Sequence, residues 1–288
     1  MPLREFRRTG EDLDVTQDMI NDFKDAGYVI IRNMLDKEEL NKLREEVETG
    51  EDFKNHTFAI NDGAKAKMYQ CCWNHPGNDV SGMVARSEKY AGTCEKLMGG
   101  EMYHYHSKVM KKEAHSGGRI VWHQDYGYWY KSGNLFPNMC NIFTALDPCT
   151  RENGCLQILE GSHKCGRVDH GPVGGQVGAD IERVEQLKSR LEHHFVEMEP
   201  GDAIIFHCNL LHVSSKNESS QRRWAFANAY NMAMNSSVVP HHHPSYNKLH
   251  KVPNGAIKEC TSTDTTGKAF MDNKKADWYD PAAEKEEA

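Results

Sequence analysis

The sequence predicts a mainly β fold, a sandwich or barrel with helices on its flanks. Three observations predict it. Six strand-like runs follow one another between about residues 101 and 232, turn signals separate them, and helical patterns concentrate ahead of them, in about residues 14–100. The runs are 102–112, 119–125, 139–147, 155–160, 202–207 and 223–232. Ser116-Gly117-Gly118, Asn153-Gly154 and Pro200-Gly201-Asp202 punctuate them, which suits antiparallel strands better than strand–helix–strand crossovers.

The first half reads as follows. Thr16 caps a helix carrying Met19, Ile20 and Phe23, and Gly27 ends it. Tyr28-Val29-Ile30-Ile31 is a β-branched strand. Asp36 and Glu39 form a capping box for a helix whose Leu40, Leu43 and Val47 share a face. Residues 50–100 read as loops with a helix around Ser81–Met98. Among the later strands, Asp180 caps a helix with Ile181, Val184, Leu187 and Leu191 on one stripe. The glycine-rich stretch before it, 171–178, reads as a mobile loop, with the 163–193 region a candidate lid. Residues 1–280 are expected to form one domain, and 281–288 a disordered acidic tail.

Composition excludes several classes. A net charge of -7 argues against a general nucleic-acid or anionic-membrane surface. No run of eighteen apolar residues exists, so no ordinary membrane-spanning helix is expected, and the N-terminus lacks a hydrophobic signal core. The nine cysteines are scattered without a C-x-x-C pair, which reads as reduced thiols in a cytoplasmic protein. Oligomeric state is not set by these features.

His123-Gln124-Asp125 is the sole His-x-acid triplet. With 16 histidines and 42 acids in 288 residues, chance alone would supply about two, so its weight comes from context. On a strand, residues i and i+2 face the same side, which aims His123 and Asp125 at one metal. His212 follows the turn and apolar run at 200–206, and Arg223 comes eleven residues later. Two histidines and one carboxylate leave three positions open, suiting iron(II) with oxygen and a bidentate co-substrate. Arginine's planar fork suits that co-substrate's far carboxylate. Adjacent Arg222 is a rival. On a strand over 223–231, however, Arg223 shares its face with Ala225, Ala227 and Ala229, which leave room, whereas Arg222 shares its face with Trp224, Phe226 and Tyr230. The bland alternatives are a strand-edge histidine at 212 and a surface arginine at 223.

His123-x-Asp125, His212 and Arg223, in this order and spacing, resemble the phytanoyl-CoA dioxygenase family, over most of the chain from Gly27 to about Tyr230. Trp122, Trp129, Gly133, Pro137, Glu152-Asn153-Gly154-Cys155-Leu156 and Gly161-Ser162-His163 are most similar to its ectoine hydroxylase and free-amino-acid hydroxylase branch. The resemblance implies a double-stranded β-helix, a cupin-like jelly roll. It also implies iron(II), 2-oxoglutarate and O2, with ascorbate as reductant and with succinate and CO2 released as a small molecule is hydroxylated. Asp125 fits hydroxylation, because related halogenases carry a small residue in its place. The resemblance further implies that Gln124 and Lys108 are co-substrate contacts and that Trp129, Tyr126, Tyr128 and His106 line a substrate pocket. Gln124 lies on the far face of a regular strand, so a structural role competes. Met110 stands where that branch leads one to expect asparagine, against ectoine itself.

The expected substrate is a free amino acid or derivative, proline-like or ectoine-like. A fatty acyl-CoA is the enzymatic alternative, although an acidic chain shows no basic surface for CoA phosphates. A non-catalytic ligand-binding jelly roll is the alternative of another class. His241-His242-His243, between prolines, reads as an exposed loop rather than a metal site.

Overall fold

A computed structural model describes residues 2–63 and 66–271; the expected acidic tail lies outside the described residues. In chain order its strands are β1 (Glu5–Arg7), β2 (Tyr28–Arg32), β3 (Thr57–Asn61), β4 (Lys67–Asn74), β5 (Met102–Lys112), β6 (Ile120–His123), β7 (Met139–Ala145), β8 (Leu156–Leu159), β9 (His170–Val173), β10 (Gln176–Ala179), β11 (His193–Val196), β12 (Ala203–His207), β13 (His212–Ser214), β14 (Arg223–Met232) and β15 (Ala269–Phe270). The helices are α1 (Gln17–Ala26), α2 (Lys37–Thr49), α3 (Glu51–Asn55), α4 (Val80–Arg86), α5 (Thr93–Met98), α6 (Asp125–Trp129), α7 (Ile181–Lys188) and α8 (Ala256–Glu259).

Two sheets make the jelly roll. The larger runs β1-β2-β12-β7-β14-β5-β4-β15, with β3 also on β4; the smaller runs β11-β8-β13-β6. Alternation along the large sheet sorts its side chains into two layers. Tyr28, Ile30, Phe143, Ile204 and Ala227 pack inward against Leu156, Ile158 and Val196 of the small sheet. Their neighbours Val29, Ile31, Ile142, Ile205 and Phe226 pack outward against Met19, Phe23, Leu43 and Val47 of α1 and α2. β2 is buried on both faces because it serves both layers.

The helix ends match their sequence signals. Thr16 accepts from the Met19 amide, and Asp36 and Glu39 complete the capping box. Gly27 ends α1 at φ 85, and a Cβ there would lie 2.3 Å from His163 Nδ1, so glycine is required twice over.

Three expectations are corrected. Residues 50–100 contain two strands, β3 and β4, and the helix expected around 81–98 is divided into α4 and α5 by a π-helical turn over Glu88–Gly92. The glycine-rich stretch is not an open loop but the β9–β10 hairpin. Gln176 pins it by accepting from the Val121 amide and donating to the Asn61 and Arg119 carbonyls. The predicted strand at 119–125 stops at His123, and Asp125 opens α6. No helix among the described residues is long and apolar enough to cross a membrane.

Ile205 is fully buried between paired strands and the helical layer. Ile205→Ala is expected to cost about 3 kcal/mol through lost burial and a residual cavity. Equilibrium denaturation checks this; a cost under about 1 kcal/mol would contradict the packing.

Candidate active site

Strand pairing assembles the site. β13 lies antiparallel to β6 with His212 directly opposite His123, and their ring centroids are 4.0 Å apart. Gln124 stays extended (φ -113, ψ 137), so Asp125 emerges on the same side as His123 although it belongs to α6. One ligand atom from each of the three residues lies within 4.8 Å of the other two, the convergence that a single divalent ion requires.

The backbone sets both imidazoles. His123 Nδ1–H donates to the Val121 carbonyl at 2.8 Å, and His212 Nδ1–H to that of Leu210 at 2.9 Å. Each Nε2 then carries the free lone pair. Burial pushes His123 well below the ordinary histidine range, helped by the neighbouring His212, and lowers His212 against the opposing pull of Asp125. Both imidazoles are therefore neutral at neutral pH. Asn141 Nδ2 donates to Asp125 Oδ2 at 3.2 Å, orienting the third.

A cleft leads from this cluster to Arg223, walled by Phe143, Leu156 and Phe206 and floored by Ala227. Arg223 is buried and donates from Nη2 to the Gly154 carbonyl at 2.9 Å, while Nε and Nη1 have no hydrogen-bond partner. No carboxylate among the described residues forms an ion pair with it. A buried guanidinium in that condition calls for an anion. Lys112, its register partner on β5, is buried beside it and donates to Ser214 Oγ and the Ser215 carbonyl. The rival Arg222 is committed elsewhere, to Glu48 and Asp147. A two-histidine, one-carboxylate donor set with unpaired guanidinium donors across a cleft fits iron plus a diacid.

The other expected residues divide. Lys108 lines the cleft, and its side chain has no hydrogen bond or ion pair among the described residues. His106 and Trp129 meet edge to face at 5.7 Å. Tyr128 lies 5.6 Å from His123, its hydroxyl donating to the Val177 carbonyl of β10. Tyr126 departs from expectation: its hydroxyl donates to the Asn134 carbonyl and its ring packs on Tyr130.

Gln124 departs further. Its Nε2 donates to the Gly166 and Asn209 carbonyls, and its Oε1 accepts from the Val168 amide. These three bonds occupy the amide as a staple on the face away from the ligands, leaving nothing for a co-substrate.

Sequence reasoning missed Asn141, Lys112 and His243. Asn141 stands out only as a polar residue in an apolar run, and Lys112 shares the alternation of Lys108 and Met110 on β5. His243 belongs to the triple-histidine run that the sequence reads as an exposed loop; instead it is buried, stacked on His106 at 4.8 Å and tilted against Tyr105 at 4.3 Å. The ligand nitrogens of His241, His242 and His243 also lie within 4.8 Å of one another, with no carboxylate in the group.

Gln124→Ala is expected to lower stability by about 2–3 kcal/mol, because it strands buried backbone groups, and to leave 2-oxoglutarate affinity within about twofold. A large affinity loss at unchanged stability, read by calorimetry and thermal melting, would restore Gln124 as a co-substrate contact.

The phytanoyl-CoA dioxygenase (PhyH) family model matches residues 23–225. An L-proline trans-4-hydroxylase from Streptomyces griseoviridis is 30% identical over 74% of this chain and 85% of its own length. An ectoine dioxygenase from Halomonas elongata is 25% identical over 81% and 75%. The fold is shared with EctD from S. alaskensis with bound Fe (TM-score 0.71, 19% identity, 86% and 90% covered). It is shared as well with that protein's structure with 2-oxoglutarate and 5-hydroxyectoine (TM-score 0.67, 18% identity, 86% and 90% covered). With the family match spanning most of its length and the cleft built as described, this chain belongs to the phytanoyl-CoA dioxygenase family.

Proposed function

We propose that this chain, a 2-oxoglutarate-dependent dioxygenase by family, hydroxylates a free amino acid or similarly small polar metabolite, proline-like or ectoine-like. In this reading His123, Asp125 and His212 hold iron(II), and Arg223 holds the distal carboxylate of 2-oxoglutarate. The observation that carries it is the buried Arg223, with two unpartnered donor atoms across a cleft from the three convergent ligands.

Bound iron and 2-oxoglutarate supply the oxidising chemistry: one oxygen atom of O2 enters the substrate C–H bond, and the other ends in succinate as CO2 leaves. The protein's own residues position and exclude. Val121 and Leu210 fix the two imidazoles, and Asn141 fixes the carboxylate. Phe143, Leu156 and Phe206 keep water from the cleft. Trp129 and His243 both pack on His106, which shares the alternation of β5 with Lys108 and Met110 of the cleft lining. Lys108 lines the same cleft as the three convergent residues, where its ammonium suits a substrate carboxylate. A small cationic and aromatic chamber favours an amino acid over a fatty acyl chain, and the likeness to a proline hydroxylase supports the same choice. Nine free thiols, seven of them buried, accord with a reducing, cytoplasmic setting.

The test is succinate release with iron(II), 2-oxoglutarate, O2 and ascorbate against a panel of free amino acids, compatible solutes and phytanoyl-CoA. Stimulation by an amino acid or solute is expected, with product hydroxylation confirmed by mass. Stimulation by the acyl-CoA alone would replace this reading with the acyl-CoA one.

Variants separate the roles. His123→Ala and His212→Ala are expected to abolish turnover and the visible charge-transfer band of anaerobic iron(II) with 2-oxoglutarate. Arg223→Ala is expected to raise the 2-oxoglutarate requirement at least tenfold. An unchanged requirement would move the anchor to Lys108 or Lys112.

A further inference from the structure

β5 carries histidines on both of its faces, although residues two apart on a regular strand share one. A bulge causes this. The register of β14 on β5 shifts so that Ala229 pairs with His106 and Tyr230 with His104. The extra residue, Tyr105, turns inward with His106, and both rings meet Trp129. His104 turns the other way and meets Tyr230, which packs in the outer, helical layer and donates to the Ala85 carbonyl of α4. The large sheet thus lies between His104 and the cleft that Lys108 and Ala227 line.

On that outer face His104 lines a crevice of about 340 Å³ with His75, Arg86, Lys248 and His250, and no carboxylate lines it. Acids outnumber Lys and Arg 42 to 35 in this chain, so a wholly basic lining runs against composition. Two of its donors are buried and unused. Ser107 Oγ accepts from Asn228 Nδ2 at 2.7 Å, which leaves the hydroxyl proton for His104 Nε2, also at 2.7 Å. Burial pushes this imidazole down to about 3, so it is neutral and its one N–H sits on Nδ1, which has no partner. Arg86 Nε has none either, and its terminal nitrogens meet only uncharged groups: Asn78 Oδ1, Met83 Sδ and the His250 carbonyl. Asp79, whose charge the guanidinium feels, is already paired with Lys268. The exposed Lys248 side chain makes no hydrogen bond or ion pair among the described residues.

We propose that this crevice binds the phosphate group of a small metabolite, at a site separate from the dicarboxylate's. Buried donors without acceptors cost stability until a ligand supplies the acceptor. A metal ion does not answer that need, because among the described residues these histidines do not bring their ligand nitrogens together. A phosphate monoester carries close to two negative charges and three strong acceptor oxygens. It can therefore engage His104 Nδ1–H, Arg86 Nε–H and the Lys248 ammonium together, whereas a carboxylate offers about half the charge on two coplanar oxygens. The volume is that of a compact small-molecule site, near the low end of the roughly 300–1,000 Å³ range. With the sheet between crevice and cleft, the occupant is an effector rather than the substrate. It bears on β5, the strand whose other face carries His106 and Lys108.

Isothermal titration calorimetry on the full-length chain, stripped of metal, tests this without turnover, with inorganic phosphate as the probe. One phosphate is expected to bind. Arg86→Gln is expected to weaken it at least tenfold, roughly the loss of one charge-assisted hydrogen bond. Lys248→Gln, at an exposed side chain on which the fold does not depend, is expected to weaken it about threefold or more. Arg223→Ala is expected to leave phosphate binding unchanged, and coenzyme A is expected to bind no tighter than phosphate. Absence of binding up to about 10 mM, weaker than any useful site, would overturn the proposal. So would binding that Arg223→Ala abolishes and both crevice variants leave unaltered. Coenzyme A binding tenfold tighter than phosphate through Arg86 would also overturn it, making the crevice a docking point for an acyl-CoA substrate.

Discussion

Everything at this site rests on the register between two short strands. β6 supplies four residues and β13 three, yet their antiparallel pairing sets His212 against His123 and leaves no freedom in how the imidazoles meet. A slip of one residue would turn His212 to the opposite face of the small sheet. What holds the register is β8, which pairs with β13 along its length while its own Leu156 and Ile158 are buried against the large sheet. The convergence of the three candidate ligands is thus secured by hydrophobic packing between sheets rather than by contacts among the three residues.

Beyond that pairing, two kinds of polar burial are at work. Gln124 and Gln176 are buried with both amide atoms hydrogen-bonded, and they tie a loop and a hairpin to the frame. Arg223 differs, since burial leaves two of its donor atoms unused. The first kind rigidifies the site, and the second marks where a ligand belongs. The same distinction separates Gln124 from the co-substrate contacts, although it stands between two expected iron ligands.

Much of this was legible from the sequence because strand alternation is a strong signal. It placed Arg223 with Ala225, Ala227 and Ala229, and Ala227 does floor the cleft. It also placed Gln124 on the far side from the candidate ligands, where its amide bonds to backbone groups. Where alternation fails, so did the reading. β4 (Lys-Met-Tyr-Gln-Cys-Cys-Trp-Asn) is buried on both faces toward its end and shows no period of two. The hairpin at 170–179 was hidden by glycines that usually mark loops, and Asp125 was assigned to a strand because one extended residue, Gln124, carries the direction beyond the last strand pair. The burial of His243 has no local pattern behind it, since its place on His106 is a contact between residues far apart in the chain.

The sealed guanidinium of Arg223 has one more consequence. Arginine does not titrate in the accessible range, so proton loss cannot relieve it; an anion alone can. Under the proposed role of Arg223, holding the diacid and resisting denaturation become linked properties of the same fold. At a hundredfold excess over its dissociation constant, such a ligand adds about 2.7 kcal/mol to folding stability. The metabolic supply of one small dicarboxylate would in this way govern how long each molecule of the protein endures, as well as how fast it works.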